Sequence, residues 1–255
     1  MSNFRVILKE NPRSMPLFQS MTTAECQLKS DRVDIWEFSL SHLPNWAMSC
    51  LEEEERERAQ RFHFPRHQRR FAVSRAMLRA ILGLYFKKNP AELLFTYGSH
   101  GKPKVNNTIH LQFNLTHSED LALLAIGQQF PLGIDIEFFS TRPYLGLANT
   151  VFSSQEIAQL SALPPWLIPL GFFHTWSQKE ALIKACGLGL SYPTKEFDVP
   201  VISPMKTHVL DTKHQKNWQI ISFMPRIACS AALCCEINVR HIRYISVDPL
   251  NFHPF

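Results

Sequence analysis

Two long amphipathic helices, each set among short strand-like runs, constrain this chain more than any other feature. The first spans about Pro65 to Lys88 and places Phe71, Met77, Leu78, Ile81, Leu82 and Tyr85 at three- and four-residue steps, giving one broad apolar face. Pro65 suits a first turn, and Asn89-Pro90 ends the helix. The second runs from about Pro169 to Gly187, with Gly187 and Gly189 as natural stops. Their cores echo one another, Arg75-Ala-Met-Leu-Arg-Ala80 against Glu180-Ala-Leu-Ile-Lys-Ala185. An amphipathic helix must bury its stripe against another layer, so the expected fold class is α+β, built of two similar halves. The boundary falls near Gln128 to Pro131, which gives an N-terminal extension over 1–30, a first half over 31–130 and a second over 131–255.

The strand signals fit that frame. Alternation predicts a strand in Asp31-Arg-Val-Asp-Ile-Trp-Glu-Phe-Ser-Leu40. Glu52 to Phe62 is a charged helix that opens with acids, as the helix dipole prefers. After a loop at Gly98-Ser-His-Gly-Lys-Pro103, three β-like runs (LQFNLTHS, LALLAIG and LGIDIEFF) suggest an antiparallel meander. Ser153-Ser-Gln-Glu156 has capping-box spacing and starts a helix through Leu160. WQIISFM, ACSAALC and HIRYISV complete the chain as strands of the second half, while Ser203 to Asn217 is polar and reads as a loop.

Composition narrows the class. The chain has 255 residues, 45% hydrophobic and 19% charged, enough to bury a core without staples. No apolar run reaches the length of a membrane span, and the first fifteen residues interleave charges with apolar groups, unlike a secretory signal. A cytoplasmic protein without a membrane partner is expected. The six cysteines lack metal-site spacing and read as free thiols. A net charge of +5 favours anionic partners without naming them.

Five groups could carry chemistry. Asp135 and Glu137 share one face of a strand in Gly133-Ile-Asp-Ile-Glu137, either as a solvated edge or as hard oxygen ligands for Mg²⁺ with substrate phosphates completing the shell. Glu180 and Lys184 lie one helical turn apart, either as an ion pair or as a base beside a phosphate-neutralising cation. Asn114-Leu-Thr-His-Ser118 puts hydroxyls and an imidazole at a strand end, where an anion can meet them. Gly101-Lys-Pro103 presents one lysine on a tight loop. Eight arginines lie between Arg56 and Arg79 with no lysine among them, a density that suits phosphates or an RNA backbone, or else a helix face paired with Glu52 to Glu57.

Taken in order, Gly-Lys-Pro, Phe-Asn-Leu-Thr-His-Ser, Gly-Ile-Asp-Ile-Glu and Trp-Ser-Gln-Lys-Glu-Ala-Leu-Ile-Lys-Ala-Cys-Gly-Leu-Gly-Leu resemble the signature of the 4'-phosphopantetheinyl transferases of the surfactin-synthetase-activating (Sfp) type, over about Leu51 to Cys235. The resemblance implies a pseudo-dimer of two α+β halves with coenzyme A in the cleft between them. It implies that Arg58 and Lys102, with Pro103 in the same loop, meet the coenzyme A phosphates. Thr116 and His117 would lie near the adenosine 3'-phosphate or the pyrophosphate. Asp135, Glu137 and Glu180 match the positions that hold Mg²⁺, and Glu180 and Lys184 match the pair assigned to proton transfer. Thr116 stands where the family usually has serine, and the hydroxyl survives. The implied reaction is attack of a carrier-protein serine on the β-phosphorus of coenzyme A, releasing adenosine 3',5'-bisphosphate. The implied partners are coenzyme A and an apo acyl, peptidyl or polyketide carrier protein, met by a monomer.

Two rival readings remain at this level. One is a basic RNA-binding protein using the arginine helix, opposed by the absence of an RNP-like aromatic signature and by the carboxylates. The other is a non-catalytic coenzyme A- or carrier-binding protein. The apolar, proline-interrupted stretch from Tyr144 to Phe173 reads as a surface for the carrier or as part of the second half's own core.

Overall fold

The computed structural model describes residues 15–22, 25–98, 101–106, 108–141, 144–202, 204–211 and 215–252. Residues 1–14 of the expected extension and Ser99-His100 of the Gly98–Pro103 loop lie outside them. The first elements in chain order are β1 (Arg32–Ser39), α1 (Glu53–Gln60), α2 (Pro65–Phe86), β2 (Phe95–Tyr97), β3 (Pro103–Val105), β4 (Leu111–Ser118), β5 (Leu121–Gln128) and β6 (Leu132–Phe138). They are followed by α3 (Tyr144–Val151), α4 (Ser154–Ser161), α5 (Ile168–Cys186), β7 (Lys206–Asp211), β8 (Lys216–Phe223), β9 (Cys229–Glu236) and β10 (His241–Ser246). Both long helices fall where the periodicity puts them. Gly187 ends α5 in the left-handed conformation, φ 71°, which a residue without a β-carbon adopts at least cost.

The strands form two four-stranded sheets, in order β10-β1-β5-β4 and β6-β9-β8-β7, and β2 and β3 pair as a separate hairpin. The helix α2 lays Val73, Met77, Leu78, Ile81 and Leu82 on the face of the first sheet that carries Trp36, Phe38, Phe113 and Leu124. In the second sheet, α5 packs Ala181, Leu182 and Ala185 on Trp218, Ile220, Ala232 and Cys234. The remaining faces close on one another, Val33, Ile35, Leu121 and Leu123 against Ile134, Ile136, Ala231 and Leu233. Strands buried on both sides read as continuous apolar runs, which is why LALLAIG and ACSAALC lack strict alternation.

The meander breaks after two strands. β4 and β5 pair antiparallel, but β6 leaves for the second sheet and pairs with β9. β4 and β6 instead lie side by side as sheet edges, joined through side chains. The Ile134 amide donates to Asn114 Oδ1 at 2.8 Å, and the Phe138 amide donates to Ser118 Oγ at 3.1 Å. Both bonds span the same twenty-residue offset, so the two strands run in the same direction.

Two further expectations change. β10 pairs in parallel with β1, from Arg32 opposite His241 to Glu37 opposite Ser246, and therefore completes the first sheet rather than the second. Alternation marks a strand but not its neighbour. Within the stretch read as a loop, β7 pairs with β8. It is an edge strand whose inward side chains are few, with Val209 and Asp211 buried and Leu210 exposed.

The arginine-rich segment divides into buried and surface pairs. Arg79 is fully buried and bridges Glu52 and Glu55, and Arg75 bridges Glu55 as well. Arg69 and Arg70 hold Asp120 at 3.2 and 2.8 Å, and Arg56 holds Glu53 at 2.8 Å. Glu55 also closes the capping box of α1 by accepting from the Glu52 amide. Six of the eight arginines pair with carboxylates of the chain, four of them with Glu52 to Glu57, as the helix-face alternative expects.

The stretch from Tyr144 to Phe173 is mostly core. Ala148, Phe152, Leu160, Phe172 and Phe173 are buried together, with Leu147, Leu163 and Ile168 packed on them. Its prolines sit at helix starts, Pro165 in a short 3-10 turn and Pro169 in the first turn of α5, so they shape helices rather than prevent them. Trp166, 76% exposed, and Leu145, 43% exposed, are the large apolar side chains of this stretch that face outward.

Candidate active site

The site forms where β4 of the first sheet meets β6 and α5 of the second. Asp135 points from β6 toward α5 and is buried. Its Oδ1 accepts from Lys184 Nζ at 2.5 Å, and Lys184 also donates to Thr116 Oγ1 at 3.0 Å. The Thr116 hydroxyl in turn donates to Asp135 Oδ1 at 3.4 Å. Asp135 Oδ2 is buried and has no hydrogen-bond partner among the described residues.

Gly133 makes this cluster possible. A β-carbon there would overlap the Ala181 carbonyl and the Ala185 amide, so the α5 backbone approaches β6 closely only because residue 133 has no side chain. That approach sets Glu180 and Lys184, successive turns of α5, beside Asp135. The positive end of the cluster is reinforced by Lys102, whose Nζ donates to the Leu132 and Lys184 carbonyls at 2.8 and 2.7 Å.

A cavity of ≈ 290 Å³ opens here, lined by Lys102, Pro103, Asn114, Glu180, Ile183 and Lys184 together with Gly101, Gly187 and Gly189. Burial pushes the Asp135 carboxyl above its ordinary value against the opposing pull of Lys184. Glu180 is raised by burial and then by the Asp135 charge. Burial, and after it the Lys104 charge, brings Lys102 down to about 8. His117 is pushed down by the surrounding protein first, then by Arg70, Lys184 and His67.

The structure thus brings together Lys102, Pro103, Thr116, Asp135, Glu180 and Lys184. Glu137 lies at the rim, where Ser118 Oγ donates to its Oε2 at 3.3 Å. His117 is exposed on the next residue of β4. Arg58 stands apart from the cluster, exposed, with its guanidinium 5.2 Å from the centre of the Phe71 ring. Two contributors were not among the site residues expected from sequence, Asn114 and Gly133. The signal for Gly133 was a glycine inside a strand, which marks close backbone approach.

The donors suit a hard divalent cation. Asp135 Oδ2 is an unpartnered buried oxygen, and the charge of Asp135 acts on Glu180 beside it. Among the described residues no three carboxylate, imidazole or thiol groups gather closely enough to enclose a metal. Such an arrangement fits an ion held by one or two carboxylates, with waters and phosphate oxygens making up the rest of its shell.

Comparison with known proteins agrees with this geometry. Residues 131–232 match the family model described as 4'-phosphopantetheinyl transferase superfamily. Residues 34–129 match that described as 4'-phosphopantetheinyl transferase, N-terminal. The 4'-phosphopantetheinyl transferase HetI of Nostoc sp. is 36% identical over 214 residues, covering 81% of this chain and 88% of the relative. Sfp of Bacillus subtilis is 32% identical over 153 residues, covering 60% and 67%. The transferase psf-1 of Bacillus pumilus is 35% identical over 145 residues, covering 56% and 61%. With matches on both sides of the junction where Asp135, Thr116 and Lys184 meet, the chain belongs to the 4'-phosphopantetheinyl transferase superfamily.

Proposed function

We propose that this cleft binds coenzyme A and transfers its 4'-phosphopantetheine arm to a serine of an apo carrier protein, releasing adenosine 3',5'-bisphosphate. The observation that carries the reading is the Lys184–Asp135–Thr116 cluster beside Glu180 and Lys102, which offers cations to a pyrophosphate and oxygens to a metal at one spot. On this reading the two α+β halves act as a pseudo-dimer, divided near residue 130.

Asp135 and Glu180 would hold Mg²⁺ with waters and phosphate oxygens completing its shell, and Glu137, two residues along β6, would face the ion through water rather than as a third direct ligand. When bound, that ion supplies charge neutralisation and alignment of the pyrophosphate. Lys184 and Lys102 neutralise phosphate oxygens and favour departure of the bisphosphate. Thr116 and His117 contact the adenosine 3'-phosphate or the pyrophosphate, and Arg58 extends the basic rim. Glu180, whose proton affinity burial raises, accepts the serine proton directly or through one water. The scissile bond is between the β-phosphorus and the bridging oxygen, and the serine oxygen forms the new ester as the bisphosphate takes the electron pair. Such a transfer asks mainly for positioning and charge compensation, which a site without a covalent nucleophile provides.

A cytoplasmic monomer with no nucleic-acid partner belongs to the same proposal. Among the described residues no helix is long and apolar enough to cross a membrane. The test is to incubate the purified chain with coenzyme A, Mg²⁺ and a panel of apo-carriers and to weigh each carrier intact. The expected result is the added mass of one phosphopantetheine on at least one carrier, lost with chelator. Unmodified carriers throughout, with coenzyme A still bound, would leave the non-catalytic reading in its place.

A further inference from the structure

A second and larger cleft lies at one end of the core between the two sheets. It measures ≈ 840 Å³ and shares no lining residue with the cavity at Lys184. Its walls are the ends of β1, β6 and β10 and the turns that join β4 to β5 and β8 to β9. Phe38, Leu121, Phe138 and Val247 make them apolar, and carboxylates from Glu37, Glu119, Asp120 and Asp248 edge them. Among the described residues Arg226 is the one cationic side chain that lines it.

Glu37 is the unusual member. It sits on β1 in the face that packs against the second sheet, and its side chain is 3% exposed. Oε1 accepts from Arg226 at 2.9 Å, while Oε2 has no hydrogen-bond donor among the described residues. A buried carboxylate oxygen without a donor costs free energy, and the Arg226 bond to Oε1 leaves Oε2 unsatisfied among the described residues. The partner is the more exposed half: Arg226 belongs to the turn between β8 and β9, its side chain is 50% exposed, and its guanidinium also donates to the Pro225 carbonyl at 3.0 Å. The pair therefore has one buried half and one half that reaches solvent. Beside it, Ile227 is 79% exposed and Met15 49% exposed, a length of apolar wall leading to the carboxylate among the described residues.

We propose that this cleft binds a small organic cation, a guanidinium or ammonium head on an apolar stem, with the head replacing Arg226 on Glu37. The head supplies the missing donor to Oε2 along with the one to Oε1, as a planar guanidinium does to a carboxylate. The stem covers Phe138, Leu121 and Ile227. The volume is in the range of small-ligand pockets. Of the rim carboxylates, Asp120 is held by Arg69 and Arg70 and Glu119 by Arg70, so the charge offered to a cation is that of Glu37 and Asp248.

The test uses butylguanidinium and its neutral isostere butylurea, titrated calorimetrically into the full chain. Butylguanidinium should bind saturably and at least tenfold more tightly than butylurea. Arg226→Ala should tighten it about tenfold, because the competing guanidinium is gone, and Glu37→Gln should weaken it at least tenfold. Should Glu37→Gln fail to fold, Ser39→Arg on the exposed end of β1 supplies the readout. It offers the cleft an internal cation and should abolish probe binding with the melting temperature and the transfer rate unchanged. No saturable binding at millimolar probe, equal binding of butylurea, or undiminished binding by Ser39→Arg would each overturn the site.

Discussion

Lys184 Nζ and Asp135 Oδ1 lie 2.5 Å apart, and the second oxygen of that carboxylate has no hydrogen-bond partner among the described residues. One lysine therefore balances the buried charge in the protein alone, with an oxygen in reserve for a further cation. Asp135→Ala and Glu180→Ala should each abolish transfer in folded protein, because both remove an oxygen from the proposed metal position. Lys184→Ala should slow transfer less. It should also lower unfolding free energy by about 3 kcal/mol, the order expected when a buried carboxylate loses its partner, and added Mg²⁺ should restore most of that loss. Chemical denaturation with and without Mg²⁺ reads this, and a Lys184→Ala protein as stable as wild type without the ion would contradict it.

Gly133→Ala adds a single methyl group against the α5 backbone, where neither the strand nor the helix can yield by rotating a side chain. The expected cost is about 1–3 kcal/mol of stability, the range for overpacking, together with a fall in turnover as Glu180 and Lys184 move from Asp135. Urea denaturation and steady-state kinetics on the same preparation would measure both. Unchanged turnover would mean that the close approach does not set the catalytic geometry.

Lys102 titrates near 8 because burial disfavours its charged form, and Lys104 adds to that. In the unfolded chain it titrates near 10.5, so between about 8 and 10.5 the folded protein holds fewer protons and this group's contribution to stability rises with pH. Coenzyme A binding should run the other way. Its phosphates need the ammonium form, so affinity should hold below pH 8 and weaken by up to tenfold per unit above it. Calorimetric titrations at pH 7, 8 and 9 test this, and Lys102→Met should flatten the dependence. A wild-type affinity that is level across this range would remove Lys102 from the phosphate site.

Trp166 faces solvent while the chain around it is core. If the carrier docks there, Trp166→Ser should raise the Michaelis constant for the carrier several-fold, with coenzyme A affinity and melting temperature unchanged. A lowered melting temperature with an unaltered carrier constant would return the indole to the second half's core.

The helices were legible because their apolar faces repeat at helical spacing and their ends carry proline and glycine. Asp135, Glu180 and Lys184 were legible as residue types in a pattern, but their contact depends on a strand and a helix packed without an intervening side chain. Sequence shows the glycine and not the helix that will lie on it. The arginines were partly legible: pairing with Glu52 to Glu57 was one of the two readings, but the full burial of Arg79 between Glu52 and Glu55 was not, because charge reads as surface. β7 was invisible because an edge strand with two inward side chains resembles a polar loop. Strand partnership was the largest omission, since no local pattern in His241–Ser246 names β1.

That last pairing bears on how the chain folds as it is made. Arg243 grips Asp34 through two bonds, at 2.7 and 2.6 Å, across 209 residues of sequence. As the chain leaves the ribosome, β1 emerges early and waits with one edge bare while the whole second sheet is synthesised. A bare strand edge is a template for the wrong neighbour. Contacts of such long separation also form slowly, because their loop must close before they repay it. The first sheet is thus begun first and finished last, and a nascent chain stalled before residue 241 should be protected at α5 and β9 while the β1 amides on the edge away from β5 still exchange their hydrogens.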